Sequence, residues 1–220
     1  MLKFAFWIIF FGWQSVKCQW NPNEKMVNTP EYYEVSLEDD TKKFKKKYPI
    51  LAPKTQSPIK IVYINFREDD EIIHFLKKKM TEKAPPQLDL VVIIGDKANI
   101  LGAFVAEQLK LPWIVLYAKR PLTSTADEID YSSITNGSKT MYLSDEQKKR
   151  LQGKNILIID DVISSGESMR ATITLCEHAG AQIKGLMVAF TEGVQRSNLA
   201  VENKTYPLIT MGHLPIFPAD

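Results

Sequence analysis

The chain has 220 residues, 45% hydrophobic and 10% aromatic, with 28 Lys and Arg against 26 Asp and Glu. This content suits one globular domain with appendages and excludes wholesale disorder, collagen and coiled coil. A formal charge of +2 gives no global attraction to nucleic acid or an anionic membrane. Two cysteines build no disulfide scaffold, and His74, His178 and His213 have no metal-ligand spacing, so zinc enzymes and disulfide-stapled mini-proteins are disfavoured.

At the N-terminus, Lys3 precedes an apolar run from Phe4 to Trp13, short of the roughly 20 residues a bilayer crossing needs. Charged start, apolar stretch, then the small residues Ser15 and Cys18 follow the order of a secretory signal peptide over residues 1–18. An uncleaved membrane anchor is the alternative. Cleavage would leave a chain of zero formal charge with Cys176 as its one cysteine, and would make Asn136-Gly-Ser138 and Asn203-Lys-Thr205 candidate glycan sites. Residues 19–58 read as a polar, Pro-interrupted extension or hood. Their charged stretch from Glu38 to Lys47 reads as a solvated face, as does Lys77-Lys78-Lys79.

Residues 59–220 read as the core domain. Ile59 to Phe66 is β-branched and aromatic, hence strand-like, and Asp70 to Lys83 carries Ile72, Ile73, Leu76 and Met80 at helical spacing. Leu88 to Ile94 is a near-continuous apolar run, as in a strand buried on both faces. A helix over Asn99 to Leu109, a strand over Trp113 to Tyr117 and a second buried strand over Asn155 to Ile159 follow. Ser168 to Ala179 is helical and stops at Gly180, and Gly185 to Phe190 is again a strand. Between them, Pro121 to Ser138 lacks any apolar period and reads as a long functional loop, and Ser144-Asp145-Glu146-Gln147 offers a capping box. Alternating strands and helices with short links predict an α/β fold with a parallel sheet flanked by helices, whose ligands bind beyond the carboxyl ends of the strands. The tail Leu214 to Phe217 is expected to pack back on the domain, and His74 and His178 to be structural.

The sharpest signal is Asn155 to Met169, NILIIDDVISSGESM. A buried strand ends in Asp160 and Asp161, and a Ser/Gly turn then opens a helix near Ser168. Successive amides at a helix start form an anion nest, and the dipole there favours negative charge. Hydroxyls of Ser164, Ser165 and Ser168 add donors, and Gly166 allows close backbone approach. Carboxylates at the strand end suit the hydroxyls of a sugar. The chemistry fits a phosphorylated sugar.

This stretch resembles the loop of type I phosphoribosyltransferases that binds phosphoribosyl pyrophosphate (PRPP), and the likeness is closest to the adenine phosphoribosyltransferases and related purine transferases. The resemblance implies the type I fold, with a small hood and a flexible loop. It implies that Asp160 and Asp161 hold the ribose hydroxyls and that Val162, Ile163, Ser164, Ser165, Gly166, Glu167 and Ser168 form the PRPP loop. Lys97, Ala98 and Asn99, with the basic pair Lys119 and Arg120, would face pyrophosphate, Lys119 with a catalytic role. Pro121 to Ser138, with Tyr131 and Ser132 near its middle, would be the lid. Mg²⁺ would arrive with PRPP rather than on ligands of the chain, and a homodimer would be common among such relatives. The sequence departs from the family pattern at Glu167, where a second glycine is usual. It departs again at Lys97-Ala98-Asn99-Ile100, where a Glu-Ala-Arg-Gly-like run is usual.

The reading that follows is a purine transferase of nucleotide salvage, adenine first, with xanthine or hypoxanthine as other bases. A catalytically degenerate, secreted PRPP- or nucleotide-binding protein of the same fold is the alternative. The altered positions Lys97, Asn99, Ile100 and Glu167 separate the two.

Overall fold

The computed structural model describes residues 30–40, 42–53, 58–121, 125–133 and 137–219. The leader at 1–18 and the sequon residue Asn136 therefore lie outside the described residues.

Within the stretch read as a polar extension, β1 (Tyr32–Glu38) and β2 (Lys43–Leu51) pair as an antiparallel hairpin. Side chains of a strand alternate between faces, so Phe44, Tyr48 and Ile50 bury with Val35 and Leu37 while Lys43, Lys45 and Lys47 face solvent. Glu38 and Glu34 on the neighbouring strand lie 3.4 Å from Lys43 and Lys45. The charged run is thus the outer face of a ribbon, not an unstructured stretch. Lys46 points inward and is met by Asp69, 2.9 Å from its Nζ.

Next come β3 (Ile59–Val62) and α1 (Asp70–Glu82), whose buried stripe is Ile72, Ile73, Phe75, Leu76 and Met80. Asp69 caps this helix by accepting from the Ile72 amide at 3.3 Å, and it also accepts from the Tyr48 hydroxyl at 2.8 Å. Burial pushes its pKa up, but the hydrogen bonds from Lys46, Tyr48 and the Ile72 amide outweigh that and hold it below the usual carboxylate value. One carboxylate therefore ties the hairpin to the first helix.

The chain continues through β4 (Leu90–Ile94), α2 (Asn99–Leu109) and β5 (Trp113–Leu116) to a two-stranded ribbon, β6 (Ala126–Ser133) with β7 (Gly137–Ser144). Much of the expected loop is therefore a hairpin. The capping box forms as expected: Ser144 and Gln147 bond reciprocally at the start of α3 (Asp145–Leu151). The remaining elements are β8 (Asn155–Ile163), α4 (Glu167–His178), β9 (Gln182–Glu192), β10 (Asn198–Val201), β11 (Lys204–Leu214) and β12 (Ile216–Pro218).

A six-stranded sheet has the order β10-β11-β9-β8-β4-β5, parallel except for β10 at its edge. Alternate residues of its central strands feed two cores: Val91, Ile93, Leu157 and Ile159 face α1 and α2, while Val92, Ile156 and Ile158 face α4 and the ribbon. Gly102 brings α2 close to β4; a Cβ there would lie 2.8 Å from the Ile93 side chain. A second sheet, β1-β2-β3-β12, is the hood, and it draws strands from the extension, from the core and from the C-terminal tail, which packs back as expected. Among the described residues no helix is long and apolar enough to cross a membrane.

Candidate functional site

The carboxyl ends of β4, β8 and β9 open into a cleft of about 310 Å³. One wall is residues 61–67, running off β3, and another is the ribbon, through Tyr131, Ser132 and Lys139. The floor carries Asp160, Asp161, Ser164, Gly166 and Glu192, with Gly95, Asp96 and Lys97 at the end of β4.

β8 does not end at the acid pair. Its ladder with β9 continues through Val162↔Phe190 and Ile163↔Thr191, so both aspartates lie within the strand and alternate faces. Asp160 is buried, 6% exposed. Its Oδ1 accepts from the Asp161 amide at 2.9 Å, and its Oδ2 from the Ser168 hydroxyl at 3.5 Å. Burial, then the neighbouring Asp161 charge, pushes its pKa well above the usual carboxylate value, against a smaller pull from Lys97. Asp161 is half-buried and open to the cleft. The pair thus offers a buried acid that holds a proton readily beside an accessible carboxylate, a donor-acceptor set suited to a diol.

The turn after β8 is built around Gly166, the residue before α4, at φ +89°. A side chain there would meet Arg170 Nη1 at 2.8 Å and Leu199 at 3.1 Å, so only glycine fits on both counts. Ser164, Ser165, Gly166 and Ser168 line the cleft together with Val162. Among the described residues no backbone acceptor takes the amides of Ser164, Ser165 or Gly166. Ile163 points into the core. Glu167 turns away to Arg170, 3.9 Å from its Nη1, so its carboxylate does not face the nest.

At the end of β4, Lys97 reaches the cleft with its Nζ 5.7 Å from the Tyr63 ring centroid. Ala98 is buried, and Asn99 opens α2 with its Nδ2 3.4 Å from the Tyr117 hydroxyl; neither lines the cleft. Asp96 pairs with Arg67 at 2.6 Å, and both residues line the cleft. Lys119 and Arg120 stand exposed past β5, outside the lining, and Arg120 lies 3.9 Å from Glu128 instead. Of the expected basic groups, then, Lys97 joins the acid pair and the turn, while Lys119 and Arg120 do not. Tyr131 does join them, and burial and the Asp160 charge raise its pKa.

Several cleft residues escape the sequence reading, among them the Arg67–Asp96 pair, Lys139 and Glu192. Lys139 lies opposite Tyr131 across the ribbon, a pairing that no local pattern announces. Glu192 is buried, 4% exposed, at the end of β9, beyond the strand read as ending at Phe190. Burial pushes its pKa up, partly offset by a hydrogen bond from Ser164 and by Lys97, with Asp161 pushing it further up. Among the described residues no three His, Cys, Asp or Glu side chains gather into a metal cage.

Residues 60–207 match the sequence family described as phosphoribosyl transferase domain. The xanthine phosphoribosyltransferase of Clostridium acetobutylicum is 29% identical over 121 residues, 51% of this chain and 60% of that one. The adenine phosphoribosyltransferase of Corynebacterium jeikeium is 31% identical over 101 residues, 46% of this chain and 48% of that one. The chain thus spans about half to three fifths of the length of these curated relatives. In fold it is similar to the adenine phosphoribosyltransferase of Giardia lamblia solved with 9-deazaadenine, with a TM-score of 0.62 at 21% identity over 76% of this chain and 93% of that one. The observed sheet, flanking helices and hood are those of the type I phosphoribosyltransferase fold, and the chain belongs to the phosphoribosyl transferase domain family.

Proposed function

We propose that this protein transfers the 5-phosphoribosyl group of PRPP to a purine base, adenine first among the candidates, and releases pyrophosphate. The observation that carries the reading is the joining, in one cleft, of the acid pair Asp160–Asp161 with a turn whose amides have no backbone acceptor.

The base nitrogen forms a bond to C1 of the ribose as the bond to pyrophosphate breaks, with positive charge developing on the sugar ring. The protein's work is alignment, charge placement and exclusion of water. Amides and hydroxyls at 164–168 hold the 5′-phosphate, and Asp160 and Asp161 hold the 2′- and 3′-hydroxyls. Lys97 and Lys139 face the departing pyrophosphate. Tyr131 and Ser132 on the ribbon cover the sugar, and the wall at 61–67 receives the base. A magnesium ion carried on the pyrophosphate fits a donor set of open carboxylates without a cage, and it would supply charge neutralisation on the leaving group. The base choice rests on the wider likeness to adenine transferases, while relatives named for xanthine and for hypoxanthine and guanine keep the other purines in the test.

The purified protein, given PRPP, Mg²⁺ and each of adenine, hypoxanthine and xanthine in turn, is expected to release pyrophosphate with adenine most rapidly. PRPP binding without release for any base would return the chain to the degenerate binding-protein reading. We place the protein in the secretory pathway, on the order of charged, apolar and small residues at 1–18. Asn203, exposed in the turn between β10 and β11, is the glycan acceptor that the described residues leave accessible. N-terminal sequencing of the natural product tests this: a start at Met1 overturns it.

A further inference from the structure

The turn at 164–166 is held from behind. Arg196, in the link between β9 and β10, donates from Nη2 to the Ser164 carbonyl at 2.7 Å and from Nη1 to the Ser165 carbonyl at 3.3 Å. Arg170, on the first turns of α4, donates from Nη1 to the same Ser165 carbonyl at 3.4 Å. Neither arginine lines the cleft.

In a trans peptide the C=O and N–H of one plane point in opposite directions, and the described chain has no cis bonds. A Ser164 carbonyl fixed toward Arg196 therefore turns the Ser165 amide the other way. A Ser165 carbonyl fixed toward both arginines does the same for the Gly166 amide. The opposite side is the cleft. Gly166 completes the device, because any Cβ there would stand 2.8 Å from Arg170 Nη1 and 3.3 Å from Arg196 Nη1.

The arrangement is costly. Two guanidinium groups share one carbonyl, and burial and then the Arg170 charge pull the pKa of Arg196 below its ordinary value. The Arg196 Nε is buried with no partner. Simple closure of the β9–β10 link would not require a second cation here. Glu167, near Arg170, returns part of the compensation.

We propose that Arg196, seconded by Arg170, is a positioning residue for the anion site: it fixes the peptide planes of the turn so that the Ser165 and Gly166 amides face the cleft unpaired, and it sets sugar-phosphate affinity without touching the ligand. This rests on reading the turn as the 5′-phosphate site.

The test uses the full chain as wild type, Arg196→Ala and Arg196→Lys. Calorimetry measures ribose 5-phosphate and, separately, pyrophosphate; amide resonances of Ser165 and Gly166 are recorded without ligand. Arg196→Ala is expected to lose about tenfold or more in ribose 5-phosphate affinity while pyrophosphate affinity stays within about twofold. Both amide resonances are expected to move before any ligand is added. Lysine keeps the charge but lacks the planar fork that spans two carbonyls, so Arg196→Lys is expected to fall several-fold short of wild type; this variant carries the test should the alanine variant fail to fold. Ribose 5-phosphate affinity within twofold of wild type in either variant, equal loss for both ligands, or unmoved amides would overturn the proposal. A wild-type chain that binds ribose 5-phosphate but turns over no PRPP with any base sinks the transferase reading and leaves this one standing. A wild-type chain that binds no ribose 5-phosphate overturns both.

Discussion

Two loops at the carboxyl edge of one sheet take up opposite strategies. The turn after β8 presents main-chain amides, with its carbonyls tied down by Arg196 and Arg170 and its glycine at φ +89°. The turn after β4 presents side chains: Lys97 enters the cleft, Asp96 is paired with Arg67 at its edge, and α2 begins without a side-chain cap. A main-chain site depends on backbone shape and little on which side chains surround it. A side-chain site depends on one residue and tolerates changes in shape. This is the physical sense of the two departures from the family pattern. Glu167 replaces a glycine without loading the nest with charge, and Lys97 supplies a cation where the usual run has its arginine two positions later.

The harshest way to break the comparison is Gly166→Val. The substitution forces a β-branched residue to φ +89° and drives its side chain into Arg170 and Leu199. Strain of this kind costs about 1–3 kcal/mol in stability. Ribose 5-phosphate affinity should fall about a hundredfold or more as the turn's charge-assisted contacts are lost together. Calorimetry on a variant shown by circular dichroism to be folded checks this, and an affinity close to wild type would mean the amides do not bind the phosphate. Lys97→Ala is the matching experiment on the other loop. Pyrophosphate affinity should weaken about tenfold, with ribose 5-phosphate within about twofold and the melting temperature nearly unchanged, because a partly exposed lysine is removed without leaving a hole. Equal weakening of both ligands would erase the division between the loops.

The same contrast explains what the sequence discloses. α2 is legible to the residue, and β4 nearly so, because apolar periodicity and a fully buried run are local signals. The nest is legible because adjacent acids followed by Ser-Ser-Gly-Glu-Ser are themselves unusual. The hairpin β1–β2 is not legible: Lys46 occupies an inward position and breaks the alternation of Phe44, Tyr48 and Ile50, and only Asp69, 23 residues away, explains it. The ribbon β6–β7 hides for a similar reason, since β6 is a mostly polar strand and the inward residues Met141 and Leu143 stand opposite Ile129 and Asp127. Asp160 and Asp161 sit inside a strand against their own propensity because the ladder with β9 carries on past them. Glu192 and Lys139 reach the cleft through long-range strand pairing, and Arg196 reaches the back of the turn from 31 and 32 residues away.

Asp160→Asn tests the region where the two loops meet, and it turns a functional loss into a gain of stability. Asp160 has its pKa raised in the folded chain, so over the pH range between its ordinary and raised values the folded state keeps a proton that the unfolded state releases. Stability therefore falls as pH rises through that window and is greatest below the ordinary carboxylate range. Asparagine keeps an oxygen for the Asp161 amide but carries no buried charge. The variant should be more stable at neutral pH by about 1 kcal/mol, or roughly 2–4 °C in melting temperature, and should lose part of that slope with pH. Its ribose 5-phosphate affinity should drop at the same time. A lower melting temperature at pH 7 than wild type would show that Asp160 is ionised and paired in the free protein, contrary to its setting between Asp161 and the core.

The smallest effect is expected from Glu167→Gln, and it is the sharpest discriminator of the two strategies. If the turn binds through its backbone, removing a negative charge one residue beyond Gly166 alters little, because that carboxylate lies toward Arg170 with 46% of its side chain exposed. Two small terms oppose each other. Loss of the i,i+3 pair with Arg170 and of a favourable charge at a helix N-terminus costs about 0.3–0.5 kcal/mol in stability. Relief of long-range repulsion raises affinity for a phosphate by less than about twofold at physiological salt, where exposed charges are screened over roughly 8 Å. Ribose 5-phosphate titrations at low and physiological salt should therefore overlay the wild-type curves to within that margin. A tenfold gain would place the carboxylate at the phosphate, make the turn a side-chain site like the one at Lys97, and remove the contrast between the two loops.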